Sequence, residues 1–368
     1  MTRLALFRVL YLSALMALGA SFVSAAATPI RQLTNTQASN IRPAWSPDGK
    51  QIAFQTNRDG PYHIYVMSAD GSNVRQLTSS DADDRHPAWS PDGKQLAIDS
   101  GDQTNREIWT IDVGSRQRTQ ITKLGGIASF PSWSPDGKRI AFYVYQAGSM
   151  DVWAAMTDNG SNPLRLTHNL ATEENNQCTF ACHSVAWSPD SNRLALSDGD
   201  SSRVLLMSAV GGAQTPISPP DERSHFPVYL PDGRLVYVTE HISQDQSWTD
   251  LWLVDPNSGA PRNEVAREVQ VQGPFEFNAD ASQILFASPR TGNFEIYAVT
   301  LDDAGKAALA TKPEHINPDQ VSQVPQASGQ NASGLPTTAE PYLLAFGLLA
   351  LGAVAAEGLV RWRRRAKT

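Results

Sequence analysis

The chain has 368 residues, 37 acidic and 30 basic, for a net charge of −7, and 41% of its residues are hydrophobic, enough to bury a sizeable core. Setting aside Glu357 and the seven basic residues of the two ends leaves 23 basic and 36 acidic residues, about −13 for the remainder. A surface that acidic repels phosphate backbones, which argues against nucleic acid and leaves proteins, cations or neutral glycans as partners.

Residues 1–27 carry Arg3 and Arg8, then an apolar run from Val9 to Val23, then Ser24-Ala25-Ala26-Ala27. A basic start, an apolar core and small residues at its end are the layout of a secretory signal peptide, expected to be cleaved after Ala25 or Ala27. Arg31 to Thr34 then reads RQLT, identical to Arg75 to Thr78 and 44 positions ahead of it.

The stretch Arg42 to Thr78 sets out a plan that recurs five more times. An aromatic residue stands before the turn at Trp45, Trp89, Trp133, Trp187, Tyr229 and Phe277, with spacings of 44, 44, 54, 42 and 48. Such a period denotes an array of small supersecondary units. Within the first unit, strands are expected at Pro43 to Ser46, Ile52 to Phe54, Ile64 to Met67 and Val74 to Thr78. Pro47, Asp48 and Gly49 supply the first turn and Asp70-Gly71 the later one. Four strands per forty-odd residues is the arithmetic of a propeller blade. RQLT at Arg31 to Thr34 is then an outer strand arriving before its own unit, as expected if the N-terminus closes the ring.

The block P-x-W-S-P-D-G-K, followed by I-Y-V-M and R-Q-L-T, resembles the WD40-like repeat of the TolB-type β-propeller family. It stands most fully at Pro43 to Phe54, Pro87 to Ile98 and Pro131 to Phe142, and the resemblance covers roughly residues 29–311. It implies an all-β, six-bladed propeller at 28–311. Ser191 and Ala281 replace the turn glycine in the fourth and sixth units, where looser hairpins are expected. TolB acts through protein contacts in the periplasm, so the resemblance implies a non-enzymatic binding or scaffolding module, expected as a monomer, with an envelope or cell-surface protein, or a glycan, as partner.

Specificity is expected on the face where the connections vary from unit to unit. Its candidate binding residues are Asp81, Asp83, Asp84 and His86, then His183, Asp198, Asp200 and His225. No cofactor is implied. The alternative is a divalent metal at His86, His183 and His225, since imidazole and carboxylate suit such ions, and with it a lactonase or glycan lyase working at the channel mouth. No Gly-x-Ser-x-Gly, His-Glu-x-x-His or Gly-x4-Gly-Lys-Ser/Thr motif occurs. Cys178 and Cys182, the only cysteines, are expected to form a disulfide in an oxidising compartment.

Residues 312–341 have the Pro, Gln, Ser and Gly content of a disordered linker. Tyr342 to Val360 is long and apolar enough for a transmembrane helix, and the basic tail at 361–368 is expected to remain cytoplasmic, placing the propeller outside. Leu335, Pro336, Thr337, Thr338 and Ala339 resemble a sortase sorting motif, so cell-wall attachment and a plain membrane anchor both stand.

Overall fold

Four of the hairpins are organised by a Ser-Pro-Asp turn. Ser46 Oγ donates to Asp48 Oδ1 at 2.6 Å and accepts from the Gln51 amide at 2.9 Å, while Asp48 Oδ1 accepts from the Lys50 amide at 3.1 Å. The arrangement recurs around Ser90 and Asp92, Ser134 and Asp136, and Ser188 and Asp190. The motif aspartates are therefore turn locks.

A computed structural model describes residues 30–158, 163–172, 184–198, 202–242, 247–258, 262–269 and 274–301. The chain partitions into Met1–Ile316 and Asn317–Thr368, and every described residue lies in the first unit. The expected signal peptide, disulfide, linker, membrane helix, basic tail and sorting motif, together with His183 and Asp200, lie outside the described residues.

The described chain is all-β and propeller-like. Four antiparallel sheets have four strands each and one sheet has nine. The first comprises Asn40–Trp45, Gln51–Thr56, His63–Ser68 and Arg75–Gln76. The inner strand starts earlier than expected because it continues through a bulge between Ile41 and Ala44. The outer strand is shorter, since beyond Gln76 the amides of Leu77 and Thr78 both turn onto the Ile64 carbonyl. In the nine-stranded sheet, strands from 83–120 and from 127–172 meet through a single parallel pair, Ile127 with Arg106.

The hydrophobic core is divided into six clusters, each bridging neighbouring groups of strands. Trp89, for example, packs among Ala44, Ala53, Ile64 and Leu77 of the preceding sheet, and its Nε1 donates to the Ala44 carbonyl at 3.1 Å. Sheets this small cannot cover both faces alone, so burial requires neighbours.

The N-terminal strand Ile30–Gln32 pairs with Glu295–Thr300 and forms the outer strand of the last sheet. The Thr34 hydroxyl donates to Glu295, whose other oxygen accepts from the Thr36 amide at 2.7 Å. Leu33 and Trp45 share a cluster with Leu285 and Ile296, which joins the two ends of the described chain.

The hairpins at Ser191 and Ala281 are not looser, contrary to expectation. Both residues take positive φ, 59° and 55°, beside 68° at Gly49. Each amide still reaches the residue three back, at 2.8 Å for Ser191 and 2.9 Å for Ala281. The hydrogen-bonded turn imposes its geometry, and the side chain bears the strain.

Candidate functional site in the central channel

Six inner strands surround a cavity of about 330 Å³. Its wall comes from corresponding positions of the repeat: three residues before the motif aromatic stand Arg42, His86, Phe130, Ser184, Phe226 and Pro274. Arg42, His86, Phe130 and Phe226 have φ between 51° and 59° and each precedes a proline, within the register shift of its hairpin. An unpaired bulge residue is freed from strict alternation, which re-aims its side chain.

One side of the cavity is charged. His86 Nδ1 lies 2.6 Å from Asp99 Oδ1, and the other Asp99 oxygen faces Arg106 Nη1 at 3.3 Å and Ser129 Oγ at 3.2 Å. Burial works to raise the Asp99 carboxyl, but His86 and Arg106 hold it below the usual carboxylate range. Burial also pushes the His86 imidazole down to about 4, against the pull of Asp99. The pair at neutral pH is therefore an ionised carboxylate accepting from a neutral ring, with Nε2 the nitrogen left for a ligand. Arg42 reaches across so that its guanidinium carbon sits 4.9 Å from the centroid of Phe130, whose ring is 4.1 Å from that of His86. Burial lowers Arg42 to about 10, opposed by Asp99, and it remains a cation.

The lining also includes the aromatic residues Phe226, Phe275 and Phe277 and one acid, Glu276. Glu276 occupies the place of Ala44, Ala88, Ser132, Ala186 and Val228 in the other repeats. It accepts from the Trp45 amide at 2.9 Å, and burial pushes its carboxyl up to about 7 despite that bond.

Second-strand side chains tie the wall to its neighbours. Gln55 Oε1 accepts from the His86 amide at 2.8 Å, and Ser197 Oγ accepts from the Phe226 amide at 3.1 Å. Tyr143 donates towards the carbonyls of Ser197 at 2.9 Å and Ser184 at 3.1 Å. Such a wall is held in place before any ligand arrives.

Of the residues singled out from sequence, His86 lines the cavity. Asp83 accepts from the Tyr62 amide and pairs with Arg85 at 2.7 Å; Asp84 is fully buried against Arg118 at 2.9 Å. Asp81 is exposed, and Asp198 ends a second strand in register with Arg203. His225 is not part of the lining; it is buried, with neither ring nitrogen hydrogen-bonded, and burial followed by the nearby Arg223 charge pushes it down to about 4. Among the described residues no group of three His, Cys, Asp or Glu side chains is arranged to hold a metal. Arg42, Asp99, Phe130, Phe226 and Glu276 were not singled out from sequence. The available signal was a fixed phase of the repeat filled by unlike residues, and an acid where the other copies are small.

Residues 84–185 match the family model described as the TolB beta propeller domain. Among solved structures, the chain is similar to an oligogalacturonate lyase in complex with manganese, at 14% identity, TM-score 0.55, covering 76% of this chain and 96% of that one. It is similar to a TolB-type protein from Agrobacterium tumefaciens at 19% identity, TM-score 0.55, covering 74% and 94%. TolB from Acinetobacter baumannii aligns at 18% identity, TM-score 0.52, over 72% of this chain and 63% of that one. These likenesses establish the fold. No protein of curated function matches the chain in sequence.

Proposed function

We propose that this chain, of which residues 84–185 match the TolB beta propeller model, is a six-bladed propeller, exported and held at the membrane or cell wall by its C-terminal segment, that binds an envelope or cell-surface protein without catalysing a reaction. Counting the nine-stranded sheet as two blades is supported by its junction of one residue pair, against seven and eight pairs in the central hairpins on either side of it. The six core clusters agree with that count.

The observation that carries binding over catalysis is the engagement of the wall's polar groups with one another. Asp99, Gln55, Ser197 and Tyr143 all hold neighbouring strands, and Asp83 and Asp84 hold arginines. What faces the cavity is a preset surface of rings, one cation and one carboxyl, suited to recognition. The test is capture from envelope extract by the purified protein. The same partner should be retained by a Lys50→Ser, Lys94→Ser variant, altered at the turns, and lost from a Phe130→Ser variant that still folds. Equal retention by both sinks the reading.

A second reading has its own observation. An imidazole oriented by a buried carboxylate, with its other nitrogen left for a ligand, is the geometry of a general base. Turnover of lactones or uronates by the protein, abolished by His86→Asn, would favour an enzyme at the channel mouth.

A further inference from the structure

Glu276, the acid of the channel lining, is unlike its counterparts in the other repeats. Ala44, Ala88, Ser132, Ala186 and Val228 hold the same position there, and none of them can carry a charge. One Glu276 oxygen accepts from the Trp45 amide at 2.9 Å, and among the described residues no basic side chain pairs with the carboxylate. Burial raises the group and that amide opposes the rise, with no side-chain charge among the causes. Arg42, the cation of the lining, lies instead against the Phe130 ring and within the field of Asp99. A carboxyl held from bulk water without a counter-charge is a cost that the small residues of the other copies avoid.

The residue after each of these positions is the motif aromatic. Trp133, Tyr229 and Phe277 line the cavity at that step, together with Pro135 of the Ser134-Pro135-Asp136 turn, so the cavity continues towards the turns of the repeat. We propose that the channel takes an organic ammonium group carried on an apolar stem, with the cation at Glu276 and the stem against the aromatic wall of Trp133, Tyr229 and Phe277. An ammonium supplies the missing counter-charge through a charge-assisted hydrogen bond, and aromatic rings attract cations that have left water. The excess of acidic residues over basic ones draws cations towards the molecule. A volume of about 330 Å³ is at the lower end for a small-molecule site, which suits a single side chain or a small amine. A divalent metal ion is disfavoured, because it takes several oxygen ligands where this lining offers one carboxylate.

This inference deepens the proposed binding role and rests on it. The ammonium can come from a free alkylamine or from a lysine side chain of a protein partner. Titration calorimetry on the full chain at pH 8 separates the two, with butylamine set against butanol and N-acetyl-lysinamide against N-acetyl-norleucinamide. At least one amine should bind tenfold or more tightly than its neutral counterpart, and the arm that shows the difference identifies the source. Glu276→Gln keeps an acceptor for the Trp45 amide and should remove most of that difference. Asp81→Asn, which removes an exposed acid outside the cavity, should preserve it. Equal binding of amine and counterpart, no binding of either amine, a difference that survives Glu276→Gln, or one lost equally with Asp81→Asn would overturn the inference. Should Glu276→Gln fail to fold, the comparison of amine with counterpart on the unaltered chain still decides. Loss of this inference with partner capture intact leaves the binding role standing.

Discussion

Two titratable side chains of the inner strands have opposite pH signatures. Glu276 has its carboxyl raised to about 7 in the folded protein, above the ordinary carboxylate value. Its penalty is absent below about 4.5, where both states are protonated, builds up between there and about 7, and is level above that at about 3 kcal/mol. Glu276→Gln should therefore raise stability at pH 8 and leave it unchanged at pH 4, as read by urea denaturation at the two values. His225 is lowered to about 4, so the unfolded chain takes up a proton first as pH falls from 6.5, and stability declines across that window. His225→Leu should flatten the decline, since neither ring nitrogen has a hydrogen bond to lose. Asp99 behaves differently: its oxygens engage His86, Arg106 and Ser129, and Asp99→Asn removes the nearer counter-charge of the buried Arg106, leaving it Asp83 at 3.8 Å. A loss of about 3–5 kcal/mol is expected in the same measurement.

At the scale of the strand and hairpin, the repeat imposes geometry on whatever residue occupies it. Ala281 sits at φ 55° where four of the other copies have glycine, so Ala281→Gly should stabilise the protein by about 1 kcal/mol, visible as a higher denaturation midpoint. The inter-sheet tryptophans differ among themselves. Trp89 is 9% exposed and its indole donates to the Ala44 carbonyl, so Trp89→Ala should cost about 3–5 kcal/mol. Trp133 is half-buried and its indole N–H has no acceptor, so the same truncation there should cost measurably less.

For the whole molecule, the fold depends on joining its first and last sheets. Ile30–Gln32 pairs with Glu295–Thr300, Thr34 caps Glu295, and Arg31 reaches the Ala69 carbonyl at 3.0 Å on the first sheet. Removing residues 28–34 should lower the thermal midpoint by many degrees, and Thr34→Ala by an amount corresponding to about 1–3 kcal/mol. A truncated chain that melts unchanged would show that this strand does not secure the joint. The closure is expected to matter because it covers a strand edge and completes the cluster containing Leu33, Trp45 and Ile296.

The repeat was legible in the chain itself, because a blade is a local object: Trp45, the Ser46-Pro47-Asp48-Gly49 turn and the strand beyond it lie within a dozen residues. The early outer strand at Arg31 to Thr34 was legible for the same reason, as a copy out of its place. The channel was not legible, because its wall joins residues from Arg42 to Phe277 that only ring closure brings together. Nor did residue type reveal which carboxylates were engaged. Asp83 and Asp84 look like a free acidic loop until Arg85 and Arg118 fold onto them, while Asp99 and Glu276 look like ordinary strand residues. Periodicity determines the local module; burial and pairing across modules, which depend on distances in space, decide what each side chain is left to do.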